Sequence, residues 1–567
     1  MNTKTIILLL TLVSFNVSAF VTVGTDASCD YDNLLDAYND ADAFVRVTNQ
    51  VAFTDEFTIG KTQWFTGGYD NCPDAEQGIF GTNKSKWRRV TPGSVVSISG
   101  QQQAQALVLF SGFEFFGGNT QLVRGGGIDV TGNVSVLIGQ SEIYDNESAT
   151  GGGIFIQGED AIITMTDVII RDNLSTGPAG GIYCSFGSQV TMLGQSAIRN
   201  NEAANFGGGI YANEGCEITF KSGDNLPALQ TQTGIFGNSA LQGGGVFLAS
   251  GAQMDLHGTA EHPASIIFNT STHDSVIEEG GGGFFITDPN TRLDAENARI
   301  DLNIAKNYGA GGVVLEQAVF TMKRAEGSCW STDHCSSLSY NILTGEVGIG
   351  GALDVYGGGI VQLSQTLIQF NRANRAAVLD ASQTSYVRME GNVIAENSHW
   401  TNDSETTLFA MSGTSGNGGN LDFFYNSLAN NMANSVFDLS STAQHHLSVH
   451  NAIIQHPLIQ DDNGNSNNIV EYDCAFLSEN NSITGNVGII NGNDPLFVDA
   501  ANGNFKLQSN SPAIDYCDEQ TFIGAAYQDI TGLDRGLDDP ANGNFLGSFD
   551  AGAYEHNGDV IFVDDFE

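Results

Sequence analysis

Five aromatic residues, Phe155, Tyr183, Tyr211, Phe247 and Phe285, stand at the middle of successive apolar triplets. In a strand the middle residue faces away from its two neighbours, so stacked triplets would bring these rings to one outward face. At a strand spacing of about 4.8 Å they would form a column roughly 20 Å long. Such a stripe either binds glycan by ring stacking or seats a partner protein, or packs on itself as a ladder beneath the inserted loops.

Carboxylates offer a second chemistry. Asp461-Asp462, Asp538-Asp539 and Asp564-Asp565 are adjacent pairs, and Asp274, Glu278 and Glu279 cluster within residues 257–279. Glycoside hydrolysis needs two carboxyls on a firm face; the pairs lie outside the regular repeat, where they are expected as solvated loops. A lyase needs basic groups against an enolate, and the repeat is poor in them. No catalytic residue is assigned.

No metal ligand is assigned either. HGTAEH at His257–His262 is one residue too long for the HxxEH zinc spacing. His446 and His450 would sit about 13 Å apart on a strand, too far for one ion. DDNGNSNN at Asp461–Asn468 has Ser466 where a calcium loop requires glycine. No cofactor is expected, and calcium is the one cation left open.

The triplets belong to a repeat. Asn146, Asn173, Asn201, Asn238, Asn269, Asn303, Asn341, Asn371 and Asn397 each follow an aliphatic residue by three positions, first 27 and 28 residues apart and later 26 to 38. A few polar residues, a glycine group and an alternating triplet come next, as in IYDNESATGGGIFI and IRNNEAANFGGGIYA. Period-two alternation marks strands. Three short strands in about 27 residues match one coil of a parallel β-helix, and crossovers between parallel strands wind right-handed. The expected fold is all-β: a right-handed parallel β-helix with an N-terminal cap and an irregular C-terminal segment. Inward aliphatics supply the core, stacked asparagines a side-chain ladder at one corner, and glycines the close approach at another. Three longer units place insertions near Lys221–Gly234, His257–Glu279 and Lys323–Ser339, expected to project from one side.

Residues 1–19 have the form of a secretory signal peptide: Lys4, the apolar run Ile6–Val13, and Val17-Ser18-Ala19. The mature chain is expected to be exported and to carry no transmembrane segment. Residues 20–115 are assigned to a cap and first irregular coils, with a helix over Tyr31–Ala43; 116–455 to regular coils; 456–555 to the C-terminal segment; 556–567 to a short tail. In an oxidising compartment Cys29 is paired with Cys72, Cys329 with Cys335, and Cys474 with Cys517, while Cys184 and Cys216 are as readily buried thiols as a bridge. The 65 acidic residues against 21 basic ones give a charge of −44, which disfavours nucleic acid, anionic lipid and polyuronate partners. The basic run Lys84, Lys86, Arg88 and Arg89 around Trp87 is expected on a solvated strand face.

The repeat, GG(G/A)(I/V/F/L) with (I/L)xxN, resembles that of polymorphic outer membrane proteins. DPLFVD at Asp494–Asp499, SPAID at Ser511–Asp515 and DAGAYE at Asp550–Glu555 resemble the end segment of choice-of-anchor proteins. The resemblance implies a pectin-lyase-like β-helix on or outside a Gram-negative cell surface, from a family of surface and adhesion proteins. Hydrolases of this fold carry NTD, paired DD, GHG and RIK on consecutive coils, and no such set is present. A self-export barrel would need some hundreds of residues, so separate export machinery is expected. The function expected is a non-enzymatic adhesin binding a surface glycan or protein; the alternative is a polysaccharide-active lyase or hydrolase using the 257–279 loop.

Overall fold

The computed structural model describes residues 20–557 except 41–43, 51, 55–56, 101–104, 224–232, 275–279, 326–330, 332–333, 400–405, 414–416, 440, 462–466, 478–487, 492–493, 519–527 and 540–541. A regular coil lays four short strands in turn, one more than the three expected, as in Val134–Gly139, Glu142–Tyr144, Glu147–Thr150 and Ile154–Gln157. Stacking the coils builds four parallel sheets of 16, 16, 10 and 14 strands among the described residues, here sheets 1 to 4 in that order. This is the expected right-handed parallel β-helix. The stack runs from Phe20–Val23 to Ile490–Asn491, continuing on both sides of the regular repeat.

Alternation decides which residues enter the core. Val136, Ile143, Ile154 and Ile156 are fully buried, and each such side chain stabilises by about 1.5–3 kcal/mol. Where one coil oversteps, the next compensates. Phe284 takes a position held by isoleucine or valine in earlier coils, its register partner in the next is Gly312, and a Cβ there would lie 2.1 Å from the Phe284 ring.

At the corner between sheets 2 and 3 the asparagines form a continuous ladder. Asn201 Oδ1 accepts from the backbone N–H and Nδ2 of Asn173, at 3.1 and 2.9 Å. Its Nδ2 donates to Ile170 O and to Asn238 Oδ1, both at 3.0 Å. Two donors and two acceptor sites are therefore all used. The same linkage joins Asn146 through Asn371 and Asn397 to Asn431. A second ladder, at the corner between sheets 1 and 2, joins Asn392 to Asn426; serines stand there in other coils, Ser141, Ser196 and Ser336 accepting from backbone N–H groups.

Glycine is needed where the ladder meets the next corner. Gly151 has φ 67°, and a Cβ on Gly153 would lie 2.7 Å from Gly181 O and 3.1 Å from Asn173 Nδ2. The asparagine and the glycine group are thus two halves of one packing unit.

Helix α1, Leu34–Asp40, lies within the span expected for the cap helix, and a second helix, α2, Cys72–Gln77, joins it. Cys29–Cys72 and Cys474–Cys517 are bridged. Cys184–Cys216 is also a disulfide, linking the inward sides of neighbouring coils with their Cα atoms 5.9 Å apart; strand parity alone had left this open. Cys335 is disulfide-bonded; its expected partner Cys329 lies outside the described residues. The bridges fit an oxidising compartment. No helix among the described residues is long and apolar enough to cross a membrane. Residues 1–19 and 558–567, and hence Asp564-Asp565, lie outside the description.

Two expectations need correction. The inserted stretches do not leave from one corner: the strands flanking the first and third, Glu217–Ser222 with Gly234–Phe236 and Val319–Lys323 with Ser336–Ser337, belong to sheets 1 and 2, whereas Thr270–Ser271 and Phe284–Ile286, about the end of the second, belong to sheets 3 and 4. Nor is Asp538-Asp539 wholly a solvated loop pair: Asp538 is exposed, but Asp539 is not. The C-terminal segment folds back on the outer face of sheet 2, packing Phe505, Ile514, Tyr516 and Tyr554 against Val393, Ala429 and Phe476. Ala553 N–H donates to Ser427 Oγ at 2.9 Å. Asp539 is buried in this segment, its N–H donating to Asp515 Oδ2 at 3.0 Å.

Candidate functional site

The five aromatic residues are register partners on adjacent strands of sheet 4. Their centroids follow at 4.9, 5.3, 5.3 and 4.9 Å, with interplanar angles of 3, 14, 16 and 7°. The rings therefore lie face to face along the helix axis. Arg124 closes one end, its guanidinium carbon 4.8 Å above the Phe155 ring. Val313, the register partner of Phe285, closes the other.

This geometry settles what the column offers. Ring faces are consumed by one another, so a sugar cannot stack on them, and the exposed surface is ring edges and the Tyr183 and Tyr211 hydroxyls. Phe155, Phe247 and Phe285 keep only 5, 6 and 5% of their surface in solvent. Phe206 packs from the side, 4.9 Å from Phe247, and Tyr308 joins the same cluster, so described turn residues flank the column. Burial pushes the Tyr211 phenol up to about 12, which keeps it a hydrogen-bond donor at any physiological pH.

One corner further along the chain, between sheets 4 and 1, the surface opens. Gln157, Gly158, Glu159, Phe186, Gly187 and Glu214 line a groove of about 620 Å³. Phe186 projects there with 51% of its surface exposed. It holds φ 55° and Glu214 φ 50°, a left-handed backbone that bulky residues adopt at a cost of about 1–3 kcal/mol. The groove was missed from sequence; an aromatic residue directly before the turn glycine, in SFGSQ, was its only signal.

The outward face of sheet 1 carries a second polar group. Asp255 is the register partner of Asp294, with His257 and Glu296 two residues further on. His257 Nδ1 lies 3.3 Å and Lys323 Nζ 2.8 Å from Glu296, and Arg292 and Thr321 both bond Asp294. Asp274 is elsewhere, exposed and paired with Lys306 at 2.7 Å. Glu278, Glu279 and Asp462 lie outside the described residues. No group of three or more metal-ligating side chains among the described residues is placed to hold an ion.

No protein-family model matches this sequence, and no curated protein matches it. The likeness to polymorphic outer membrane proteins thus rests on the repeat motifs alone.

Proposed function

We propose that this chain is an exported, non-enzymatic surface-contact protein of a Gram-negative bacterium, binding a surface glycan or protein partner along sheet 4 and the adjoining corner. One observation carries the reading: five aromatic side chains superpose on a single outward face and lead directly to a groove with an exposed ring. A rigid rod that presents the Tyr183 and Tyr211 edges and hydroxyls beside the exposed Phe186 ring suits contact with an extended partner. The signal-like segment and the disulfides support export.

The test is attachment of the mature chain to Gram-negative envelope fragments and to a panel of neutral and acidic glycans. Tyr183→Phe with Tyr211→Phe removes both hydroxyls and keeps the stack; attachment is expected to fall about three- to tenfold. No attachment by the unaltered chain would overturn the reading. The second reading, a polysaccharide-active enzyme, draws on the Asp255 and Asp294 stack on sheet 1, and soluble product from the same panel would favour it.

A further inference from the structure

At the corner between sheets 2 and 3, the residue before each ladder asparagine holds a left-handed backbone. In four successive coils it is Asp145, Asp172, Asn200 and Gly237, types that adopt this conformation readily. In the next four it is Phe268, Leu302, Tyr340 and Phe370, at φ 57, 59, 57 and 55°, bulky residues for which it is strained. Phe268 and Tyr340 keep 56 and 41% of their surface in solvent, and the Tyr340 ring stacks on Phe370 at 4.6 Å. The chain bears strain here to hold an apolar ridge outward, and exposed apolar patches mark contact sites.

Beside the ridge, sheet 3 presents Glu202, Ser239, Thr270, Ile304, Ile342 and Arg372 as successive register partners. This column is acidic at one end, uncharged over four coils and basic at the other. Asp301, the charged residue next to the ridge in those coils, is buried and accepts from Ser337 Oγ and Ser339 N–H. In a chain of charge −44, two copies repel where their acidic faces meet; over this strip neither presents an exposed charge to the other.

The strip is also complementary to itself. Both rods share one strand spacing of about 4.8 Å, so a second rod turned end for end about an axis between the coils of Phe268 and Leu302 matches coil to coil. Glu202 then meets the partner's Arg372, while Gly237 and Ser239 meet the partner's Tyr340 and Ile342, small against large. Rods running parallel would instead set Glu202 against the partner's Glu202, like charge against like.

We propose that this ridge seats a second copy of the chain, antiparallel, in an isologous dimer. The contact spans six coils, roughly 25 Å, and is smaller than the about 1,600 Å² of stable complexes, so the dimer is weak and reversible. Sheets 1, 2, 3 and 4 follow in turn round a coil, so the corner between 4 and 1 lies across the rod from this one. The dimer leaves both copies of that groove facing outward, on opposite sides.

The test is sedimentation of the mature chain at low and raised salt. A reversible dimer with a dissociation constant of about 10–100 µM is expected, tightening about three- to tenfold at raised salt as net repulsion is screened. Phe268→Asn with Tyr340→Asn gives both positions the residue type of Asn200, and is expected to weaken association at least about tenfold with far-ultraviolet circular dichroism unaltered. Glu202→Arg and Arg372→Glu are each expected to weaken it about three- to tenfold, and the two together, which leave net charge unchanged, to restore it within about twofold. Glu202→Arg alone is decisive if Arg372→Glu fails to fold: it lessens the acid excess, so net charge by itself predicts tighter association and this pairing predicts weaker. A monomer at every concentration, a dimer that the ridge variant leaves untouched, or tighter association of Glu202→Arg would overturn the inference.

Discussion

Asn201 Nδ2 donates to Asn238 Oδ1 at 3.0 Å although 37 residues of chain separate them. The preceding step, Asn173 to Asn201, spans 28 and has nearly the same length, 2.9 Å. Loop length therefore does not disturb the stack, because the corner asparagine keys each coil to its neighbours whatever the chain does between.

That keying predicts a position-dependent cost. Asn238→Ala strands the Asn201 backbone N–H, one Nδ2 hydrogen of Asn201 and the Ile198 carbonyl inside the protein, while Asn269 Oδ1 keeps the backbone N–H of residue 238. Each buried polar group left unmade costs about 1–3 kcal/mol, so a loss of at least about 3 kcal/mol is expected in denaturant melts. Asn431→Ala, at the partly buried end of the ladder, should cost less than half as much. Equal losses would mean that the ladder is not the unit of stability.

Phe284 and Gly312 predict a compensating pair. Gly312→Val forces its Cβ onto the Phe284 ring and is expected to destabilise by about 1–3 kcal/mol. Phe284→Val alone leaves a cavity and costs about 2–4 kcal/mol. Together they restore volume, so the double variant should be more stable than the sum of the singles by at least about 1 kcal/mol. Additive losses would show that the two sites do not share space.

Removing the bridge inside the stack, by Cys184→Ala with Cys216→Ala, frees a loop of 32 residues. Closing a loop of that size stabilises by about 3–4 kcal/mol. The change should appear in the unfolding midpoint with far-ultraviolet circular dichroism unaltered; an unchanged midpoint would contradict it.

The C-terminal segment should respond to pH. Burial, and next the Glu555 charge, push the Asp550 carboxyl up to about 8; burial pushes Glu555 up to about 7 against the opposing pull of Arg535. Asp515, Asp539 and His556 face the same pocket. A carboxyl whose folded pKa exceeds its unfolded one holds its proton better when folded. Its stabilisation is whole below pH about 4 and disappears as pH rises through about 7 to 8. Amide exchange in residues 528–555 is expected to be slower at pH about 5 than at about 9 after correction for intrinsic rates, with Asp550→Asn flattening the difference. Tighter protection at high pH would refute it.

Much of the fold was legible because most coils of the regular repeat carry the same two constraints, an asparagine that must be bonded four ways and a glycine that admits no Cβ. The second ladder was not, because Ser141 and Ser196 do in early coils what Asn392 and Asn426 do later. Period-two alternation placed the five rings on one face but says nothing about χ angles, which turned the faces inward on each other. The burial of Asp539 was hidden because motif residues far apart in the chain, Asp515, Asp550 and Glu555, converge only after the segment folds back.

Pulled along its axis, a stack of this kind yields by peeling from an end, one winding at a time. Cys29–Cys72 and Cys474–Cys517 each close 43 residues into a covalent loop near the two extremities. A load applied at either extremity meets a cross-link before it can unspool the windings behind it, so the rod should transmit tension rather than lengthen under it.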